Sequence, residues 1–568
     1  MRSIRLAGLV YLFVGLLFSA FSFAEASSQA AASIVLKADG TGDYATLEEA
    51  VEAAPERSTI TLEPGAYHLS EQLEVIKPLQ LEGAGMDLTE IIGETGDHVV
   101  RASFDGLFSA EGITFRHEGG LPADVVQMDG CEVSIKQCRF AGGVFDRLVG
   151  AGLSLRGHTT GVVSNCIFVD NKWGILVAGG AEPSLESNRC TGNGESGIMY
   201  TDNASGVSKA NECAENGRYG IYVGKEAQPT LEGNLCSNNG QAGIAYWDTA
   251  SGLARANRCI SNNLAGIGVL GEADPILEQN ICTDNKQDGI AYLHTAAGVS
   301  RENECAGNGL HGIEVHAKAV PTLENNLCRN NDQCGIHYTG SEGGTASHNT
   351  CEGNDSDGIA VGNKAQPLLE ANLCTDNGRT GILYSDTSSG EAEKNECRGN
   401  GFAGIGVVEE AKPILTKNLC IGNDEIGIFF YNESGGAVTG NECSKNSKGI
   451  FVGGTANPSL EGNILTGNGL AGMLYGGSSS GEAYQNECRG NESGIVVQEE
   501  ASPSLVENLC VGNEKTGIAF FDSSTAIAIG NECLENPVGI FVADTASPTL
   551  IDNRCHDNSD VNVLDMRQ

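Results

Sequence analysis

Basic residues are scarce in this chain. Its 568 residues carry 34 Lys and Arg against 74 Asp and Glu, which gives a formal net charge of −40 at pH 7. A surface this acidic repels phosphate backbones and anionic lipid headgroups, so we expect neither nucleic acid nor an anionic membrane as a partner. The same charge would attract calcium ions or basic partners.

Long apolar runs are missing after the first thirty residues. Residues 6–23 form one apolar stretch behind a basic start (Arg2 and Arg5), and small residues suited to cleavage precede Ser27. This arrangement predicts a secretory signal peptide over residues 1–26. The alternative is an uncleaved anchor, since a run of this length could span a bilayer. With the signal removed, we expect an exported protein, periplasmic or extracellular, without membrane insertion.

Helical periodicity is also missing from residue 174 onward. Instead, Gly-Ile followed by Asn-x-Cys-x-x-Asn recurs seventeen times, 22 or 23 residues apart, with Met473 and Leu465 as single departures. Two asparagine columns, 188–553 and 193–558, have no exception. A fixed period in this range indicates stacked structural repeats.

Three short strands and three turns fit each repeat, which predicts an all-β fold, a right-handed parallel β-helix with seventeen regular coils. We assign residues 1–26 to the signal peptide, 27–165 to irregular β-helix coils, 166–558 to regular coils and 559–568 to a tail. Residues 46–54 predict a short helix that begins at Thr46, ends before Pro55 and caps the open end of the β-helix.

The repeat alternates between two kinds of coil. One pairs Val with Leu, as at Val269 and Leu277, and the next pairs an aromatic residue with a small one, as at Tyr292 and Ser300. This alternation keeps the interior volume nearly constant, as close packing requires. We therefore place the tyrosines in the core, where their hydroxyl groups need partners.

The repeated asparagines and cysteines are predicted to be structural. Asparagine suits turns and can form stacked amide ladders. Sixteen of the twenty cysteines hold one column, and Leu465 in the same column marks it as interior. Strands ~4.8 Å apart do not suit disulfides, so these thiols are expected to be free. Outside the column lie Cys131, Cys138, Cys166 and Cys334; a Cys131–Cys138 disulfide is left open.

Residues capable of chemistry collect in four consecutive coils. The position before Gly-Ile is occupied in turn by Asp288, His311, Cys334 and Asp357. The following strands add three outward residues, namely Glu314, His316 and His337. Stacked strands lie ~4.8 Å apart, so carboxylate, imidazole and thiolate groups come within reach of one another.

Three interpretations of these residues stay open. As a metal site, His311, Cys334 and His337 could bind zinc or another transition metal. As a catalytic site, His311, His337, Asp288 and Asp357 could serve as acid and base, with Glu314 and His316 binding the substrate. Alternatively, a variable outward column collected polar residues by chance. No cofactor follows from the pattern, although calcium or a transition metal is compatible with it.

The regular coils resemble a known class of β-helix repeats. One coil type reads Asn-Pro or Ser-Pro-x-Leu-x-x-Asn and the next reads Gly-x-Ala-x-x-Asn, over residues 165–558. These repeats resemble the carbohydrate-binding and sugar-hydrolase repeats of the pectin-lyase-like β-helix family, including those of F-box substrate adaptors and bacterial periplasmic β-helix proteins. The resemblance implies the fold and leaves enzymes, binders and adaptors open.

The N-terminal part resembles pectin methylesterase. The similar segments are Asp-Gly-Thr-Gly-Asp-Tyr-Ala-Thr at 39–46, Pro-Gly-Ala-Tyr at 64–67 and Gly-Ile-Thr-Phe at 112–115. The family implies catalytic aspartates and oxyanion glutamines within Gln-Ala-Val-Ala-Leu and Gln-Asp-Thr-Leu. This chain instead has Ala-Asp-Val-Val-Gln at 123–127 and Val-Phe-Asp-Arg-Leu at 144–148. Asp146 is at most a remnant, so we do not expect esterase activity.

Three functional hypotheses follow. The first is an exported binding or scaffold protein whose elongated face recognises a polysaccharide or a protein. The second is a carbohydrate-active enzyme, namely a polysaccharide lyase, hydrolase or epimerase. The third is a periplasmic metal-handling protein, by analogy with β-helix proteins linked to copper enzymes.

Overall fold

The computed structural model describes residues 31–146 and 149–567. The predicted signal peptide lies outside the described residues. Among those described, no helix has the length and apolar character needed to cross a membrane. The chain winds into a right-handed β-helix whose turns stack three parallel sheets, which confirms the predicted fold.

Each regular coil contributes one short strand to each sheet. Sheet 1 runs from Ser33–Leu36 to Thr549–Ile551, and sheet 2 runs from Gly65–His68 to Arg554–His556. Sheet 3 contains the Gly-Ile segments. Its strands are Leu73–Val75, Asp97–Ser103, Ala123–Asp129, Ala151–Arg156, Trp173–Val177, Ser196–Tyr200, Tyr219–Val223, Ile244–Tyr246, Ile267–Val269, Ile290–Tyr292, Ile313–Ala317, Ile336–Gly340, Ile359–Asn363, Thr380–Tyr384, Ala403–Val407, Ile426–Phe430, Lys448–Val452, Ala471–Tyr475, Ser493–Val497, Thr516–Phe520, Val538–Val542 and Val561–Asp565.

The two ends of the β-helix differ. At the N-terminal end, the helix Leu47–Ala53 has Thr46 as its N-cap, whose Oγ1 accepts a hydrogen bond from the Glu49 N–H at 3.2 Å. At the C-terminal end, Val561–Asp565 pairs in parallel with Val538–Val542. The β-helix therefore extends into the stretch that the sequence analysis assigned to the tail.

The alternation of coil types packs the interior as predicted. Tyr246 lies in register with Val269 on sheet 3, and Ala254 lies in register with Leu277 on sheet 1. All four side chains are fully buried. The tyrosine hydroxyls differ in whether they have a hydrogen-bond partner. The hydroxyl of Tyr292 forms a hydrogen bond with Ser300 Oγ at 2.7 Å. Where the small partner is alanine instead of serine, the hydroxyl of the buried tyrosine has no partner within the described residues.

Both asparagine columns form buried amide ladders. The Oδ1 atom of Asn303 accepts hydrogen bonds from the backbone N and the Nδ2 of Asn280, both at 2.9 Å. Its Nδ2 donates to Leu277 O and Asn326 Oδ1, also at 2.9 Å. Every hydrogen-bonding atom of the side chain is thus used within the scaffold, which accounts for the invariance of this residue across the repeats.

The glycine that opens each repeat is required by close packing. A Cβ atom on Gly289 would lie 2.6 Å from the carbonyl oxygen of Gly312 and 2.7 Å from the Cβ of Cys305. These distances are too short for any larger residue without moving the backbone of the next coil. The repeated glycine therefore belongs to the scaffold, like the asparagines.

All twenty cysteines are free thiols, including Cys131 and Cys138. The main column stacks in register, as at Cys305 and Cys328. Cys166 lies elsewhere: its N–H donates to Asn188 Oδ1 at 3.0 Å, and its Sγ accepts from the N–H of Cys138 at 3.4 Å. Cys138 and Cys166 therefore continue the first asparagine column into the irregular coils.

Candidate functional site

Three of the predicted residues come together on the outer face of sheet 3. Glu314 and His337 lie in register on the strands Ile313–Ala317 and Ile336–Gly340. His311 lies three residues before Glu314, in the turn that leads into the same strand. Ile313 and Val315 are buried on the opposite face, which fixes the outward direction of Glu314.

Glu314 is the centre of this cluster. Its Oε2 lies 2.7 Å from His337 Nδ1 and 3.9 Å from His311 Nε2. Its Oε1 accepts a hydrogen bond from Thr339 Oγ1 at 2.6 Å. The two imidazole rings face each other with centroids 4.2 Å apart. The side chains of Glu314, His311 and His337 are only 13, 15 and 26% exposed, so the cluster is sheltered yet open on one side.

Burial and charge set the protonation of the cluster. Burial, followed by the proximity of His337, lowers the pKa of His311 to about 4. Burial alone would raise the pKa of Glu314, but the hydrogen bonds from His337 and Thr339 lower it overall. At neutral pH the cluster therefore contains an ionised carboxylate beside a neutral His311 imidazole.

The other predicted site residues lie around this cluster, and of these His316 Nδ1 comes within 3.7 Å of Glu314 Oε1. Buried Asp288 accepts a hydrogen bond from the His311 N–H at 3.1 Å, and burial raises its pKa to about 7. Asp357 likewise accepts a hydrogen bond from the Thr380 N–H at 3.0 Å, and burial raises the pKa of Asp357 as well. Both carboxylates thus tie one coil to the next.

Cys334 and His316 lie next to the cluster of His311, Glu314 and His337. The backbone N–H of Cys334 donates to His311 Nδ1 at 3.3 Å, while burial raises the pKa of its thiol to about 12. His316 is 54% exposed, and its Nδ1 lies 2.9 Å from Thr339 Oγ1. Among the described residues, possible metal-ligand atoms of His, Cys, Asp and Glu come together at one place. The ligand atoms of His311, Glu314 and His337 all lie within 4.8 Å of one another, and no other group of three or more described residues does so.

Two aspartates, Asp124 and Asp146, stand in place of the esterase motifs, and the side chain of Asp124 bonds the scaffold. The Oδ1 of buried Asp124 accepts hydrogen bonds from the N–H groups of Gly150 and Ala151, both at 2.8 Å. Its Oδ2 lies 3.3 Å from Arg156 Nη2. Burial outweighs these contacts and raises the pKa of Asp124. Asp146 forms an isolated antiparallel bridge with Val149.

Sequence reasoning missed an aromatic pocket on the same face of sheet 3. The pocket has a volume of about 270 Å³. Its lining consists of Trp173, Glu195, Ser196, Met199, Arg218, Tyr219, Tyr222 and Trp247. Trp173 Nε1 donates to Glu195 Oε2 at 3.2 Å, and the Arg218 guanidinium lies 5.3 Å from the centre of the Tyr219 ring. The indole nitrogen of Trp247 has no hydrogen-bond partner within the described chain.

The signal for this surface was present in the repeat. The residue after Gly-Ile points outward, where a polar residue is expected, yet it is apolar or glycine in fifteen of the seventeen coils. The two exceptions are Glu314 and His337. We call this column of residues the sheet-3 stripe. A count of apolar residues at this position would have indicated it.

Stacked parallel strands, a buried amide ladder and an outward site on one sheet define a β-helix protein of the pectin-lyase-like fold class. The chain matches the family model of the right-handed β-helix region over residues 124–253, 248–373, 342–487 and 427–564. It belongs to this family, which confirms the resemblance of its regular coils.

Individual relatives are distant. A probable pectinesterase 30 of Arabidopsis thaliana is 32% identical over 127 residues, which are 20% of this chain and 26% of that protein. The chain thus spans about a quarter of that relative's length.

Several solved structures are similar to this chain at low identity. The periplasmic alginate epimerase AlgG has 13% identity and a TM-score of 0.34, over 68% of this chain and 82% of that one. The Dettilon tailspike protein has 14% identity and a TM-score of 0.37, over 59% and 68%. Pectin methylesterase from carrot has 16% identity and a TM-score of 0.27, over 45% and 84%.

Proposed function

We propose that the protein binds a polysaccharide along the outer face of sheet 3, with the aromatic pocket as the principal sugar-binding position. The observation that carries this proposal is the pocket itself, where indole and phenol rings lie next to a carboxylate and a guanidinium group. Aromatic faces pack against the apolar faces of sugar rings, and polar groups at the edge bind the hydroxyls.

The shape of the face suits an extended ligand. Between the pocket and the His311 cluster, the sheet-3 stripe consists of Ala245, Gly268 and Ala291. These three residues are small and buried, so no large side chain of the stripe projects between the pocket and the cluster over three coils, roughly 14 Å. The whole regular array offers roughly 80 Å at the same spacing. A glycan chain is narrow enough to lie along this part of the sheet, whereas a protein partner would need a broader contact area.

The chain offers a direct assay of the proposal. Both of its tryptophans, Trp173 and Trp247, line the pocket. We expect saturable changes of tryptophan fluorescence on titration with oligosaccharides from a glycan panel. Because each aromatic ring buries apolar area worth about 1–2 kcal/mol, Trp247→Ala or Tyr222→Ala is expected to weaken binding roughly five- to thirty-fold.

The control is Tyr484→Ala, which removes a ring of sheet 1 that lies away from the pocket. Equal losses in Tyr484→Ala and Tyr222→Ala would contradict the proposal. A glycan panel without any saturable ligand would also contradict it. If this face instead retrieved a specific protein partner, the ligand would be a protein and not a glycan.

A second candidate function is a carbohydrate-active enzyme, as a polysaccharide lyase, hydrolase or epimerase. The favouring observation is the 2.7 Å contact between Glu314 Oε2 and His337 Nδ1. A carboxylate that holds Nδ1–H leaves Nε2 of the ring as a general base. New reducing ends or unsaturated products that vanish in His337→Ala would support it, and a broad polysaccharide screen without turnover would refute it.

Export remains a prediction from residues 1–26. We propose that the mature protein begins near Ser27 in a periplasmic or extracellular compartment. Mass determination of the protein isolated from the source cells tests this, since retention of the full 568 residues would contradict cleavage.

A further inference from the structure

The sheet-3 stripe contains one interruption, and it consists of metal-binding residue types. Fifteen of its seventeen positions are apolar or glycine, whereas the two adjacent positions in the middle are Glu314 and His337. His311 adds a second imidazole from the preceding turn. A structural sheet surface needs no such group here, because the regular coils stack equally well with alanine in the same positions, as at Ala291 and Ala360.

We propose that His311, Glu314 and His337 bind a divalent first-row transition ion of the zinc type. Two imidazole nitrogens and one carboxylate oxygen match the preference of such ions, whereas calcium and magnesium prefer oxygen ligands alone. Three protein ligands leave a further coordination position for water or a ligand. The proposal is independent of glycan binding.

The distances are close to those of such a site. Zinc bonds of 2.0–2.1 Å in tetrahedral geometry place the ligand atoms roughly 3.3 Å apart. Glu314 Oε2 lies 2.7 Å from His337 Nδ1 and 3.9 Å from His311 Nε2. Shifts of roughly half an ångström in opposite directions would bring both pairs to that separation, which side-chain rotation can supply.

Binding also rearranges the ring protons. The proton that His337 Nδ1 now shares with Glu314 moves to Nε2 of the same ring. His311 must carry its proton on Nδ1 in order to ligate through Nε2, so it gives up the contact with the Cys334 N–H. That contact is 3.3 Å long, beyond the usual range for an N–H hydrogen bond, so it is a weak contact to lose.

Neighbouring groups already orient the ligands. Thr339 Oγ1 donates to Glu314 Oε1 at 2.6 Å and leaves Oε2 directed at the imidazoles. Asp288 holds the backbone N–H of His311 at 3.1 Å and so fixes the turn that carries this ring. Such outer contacts commonly position the ligands of metal sites.

The test uses the untagged full-length protein, stripped with a chelator and then equilibrated with zinc or cobalt ions. We expect about one metal equivalent per chain by elemental analysis, and for cobalt a visible absorption band from imidazole coordination. An excess of zinc should raise the thermal unfolding midpoint. His311→Ala, Glu314→Gln and His337→Ala should each lower the affinity at least tenfold, in keeping with the loss of one ligand.

Two controls separate the site from other histidines and from misfolding. His316→Ala removes an exposed imidazole beside the cluster, and His294→Ala removes one from an earlier coil; both should retain full uptake. Circular dichroism in the absence of metal shows whether each variant is folded. Lack of saturable uptake by the wild-type protein would overturn the proposal, and so would uptake that survives in a folded His311→Ala/His337→Ala double variant.

Discussion

Replacing Asn303 by alanine tests the buried amide ladder. The substitution removes four hydrogen bonds, two accepted by Oδ1 and two donated by Nδ2. Two of the groups left behind keep another partner, because Asn280 Nδ2 still donates to Ala254 O and Asn326 Oδ1 still accepts from the backbone N–H of residue 303. The Asn280 N–H and the Leu277 carbonyl lose the partner that the side chain supplied.

The cost follows from the four lost hydrogen bonds, one of which leaves the Asn280 N–H without the partner that the side chain supplied. A buried hydrogen bond contributes about 1 kcal/mol net, so the variant should lose about 4 kcal/mol of local stability. In a stacked repeat, each coil contacts only its neighbours, so the loss is expected to stay near the substituted coil. About 4 kcal/mol corresponds to nearly a thousandfold change in the local opening equilibrium.

Hydrogen exchange with peptide-level mass spectrometry measures this effect directly. Peptides that cover residues 277–326 should exchange nearly a thousandfold faster in Asn303→Ala, and peptides near the two ends should be unchanged. Asn263→Ala is the matched control, because that side chain is exposed in a turn about two coils earlier. A change below tenfold around residue 303 would refute the reasoning, and so would an equal change in the control.

Two further predictions concern buried groups with and without partners. Tyr292→Phe should lower the free energy of unfolding by about 1–2 kcal/mol because it leaves Ser300 Oγ without its partner. Tyr384→Phe should be neutral or stabilising because the hydroxyl of Tyr384 has no partner within the described residues. Chemical denaturation that shows equal losses for both variants would contradict this. Burial raises the pKa of Asp124 above its unfolded value, so its contribution to stability is present at low pH and is lost as pH rises through the folded pKa. Asp124→Asn keeps an acceptor for the Gly150 N–H without the charge, so its thermal midpoint relative to wild type should rise as the pH increases above the unfolded pKa of about 4. A difference independent of pH would argue against this account.

Much of the scaffold could be predicted because stacked coils repeat one local environment. The 22–23-residue period fixed the strand count per coil, and Leu465 in the cysteine column identified that column as interior. The alternation of Val with aromatic residues predicted which side chains meet in the core, and the register of Tyr246 with Val269 confirms it. Such patterns survive in sequence because every coil meets nearly the same neighbours.

The candidate site was predicted only in part. Register placed His311, Glu314 and His337 on adjacent coils, and in the structure their possible ligand atoms lie within 4.8 Å of one another. The role of the thiol was not decided by register, because the distance between strands says nothing of side-chain rotation. In the structure Cys334 is buried and its N–H donates to His311 Nδ1, and Glu314 instead of the thiol completes the cluster of possible ligand groups.

The sequence by itself determined the β-helix, its two coil types and the structural role of the repeated asparagines, since periodicity encodes contacts between equivalent positions. Only the tertiary structure decided which outward side chains cooperate. The aromatic pocket draws Trp173 and Trp247 from coils 74 residues apart in the chain, and these meet because successive turns bring distant segments to within strand spacing. A functional surface on this fold is thus assembled across coils, where no single repeat contains it.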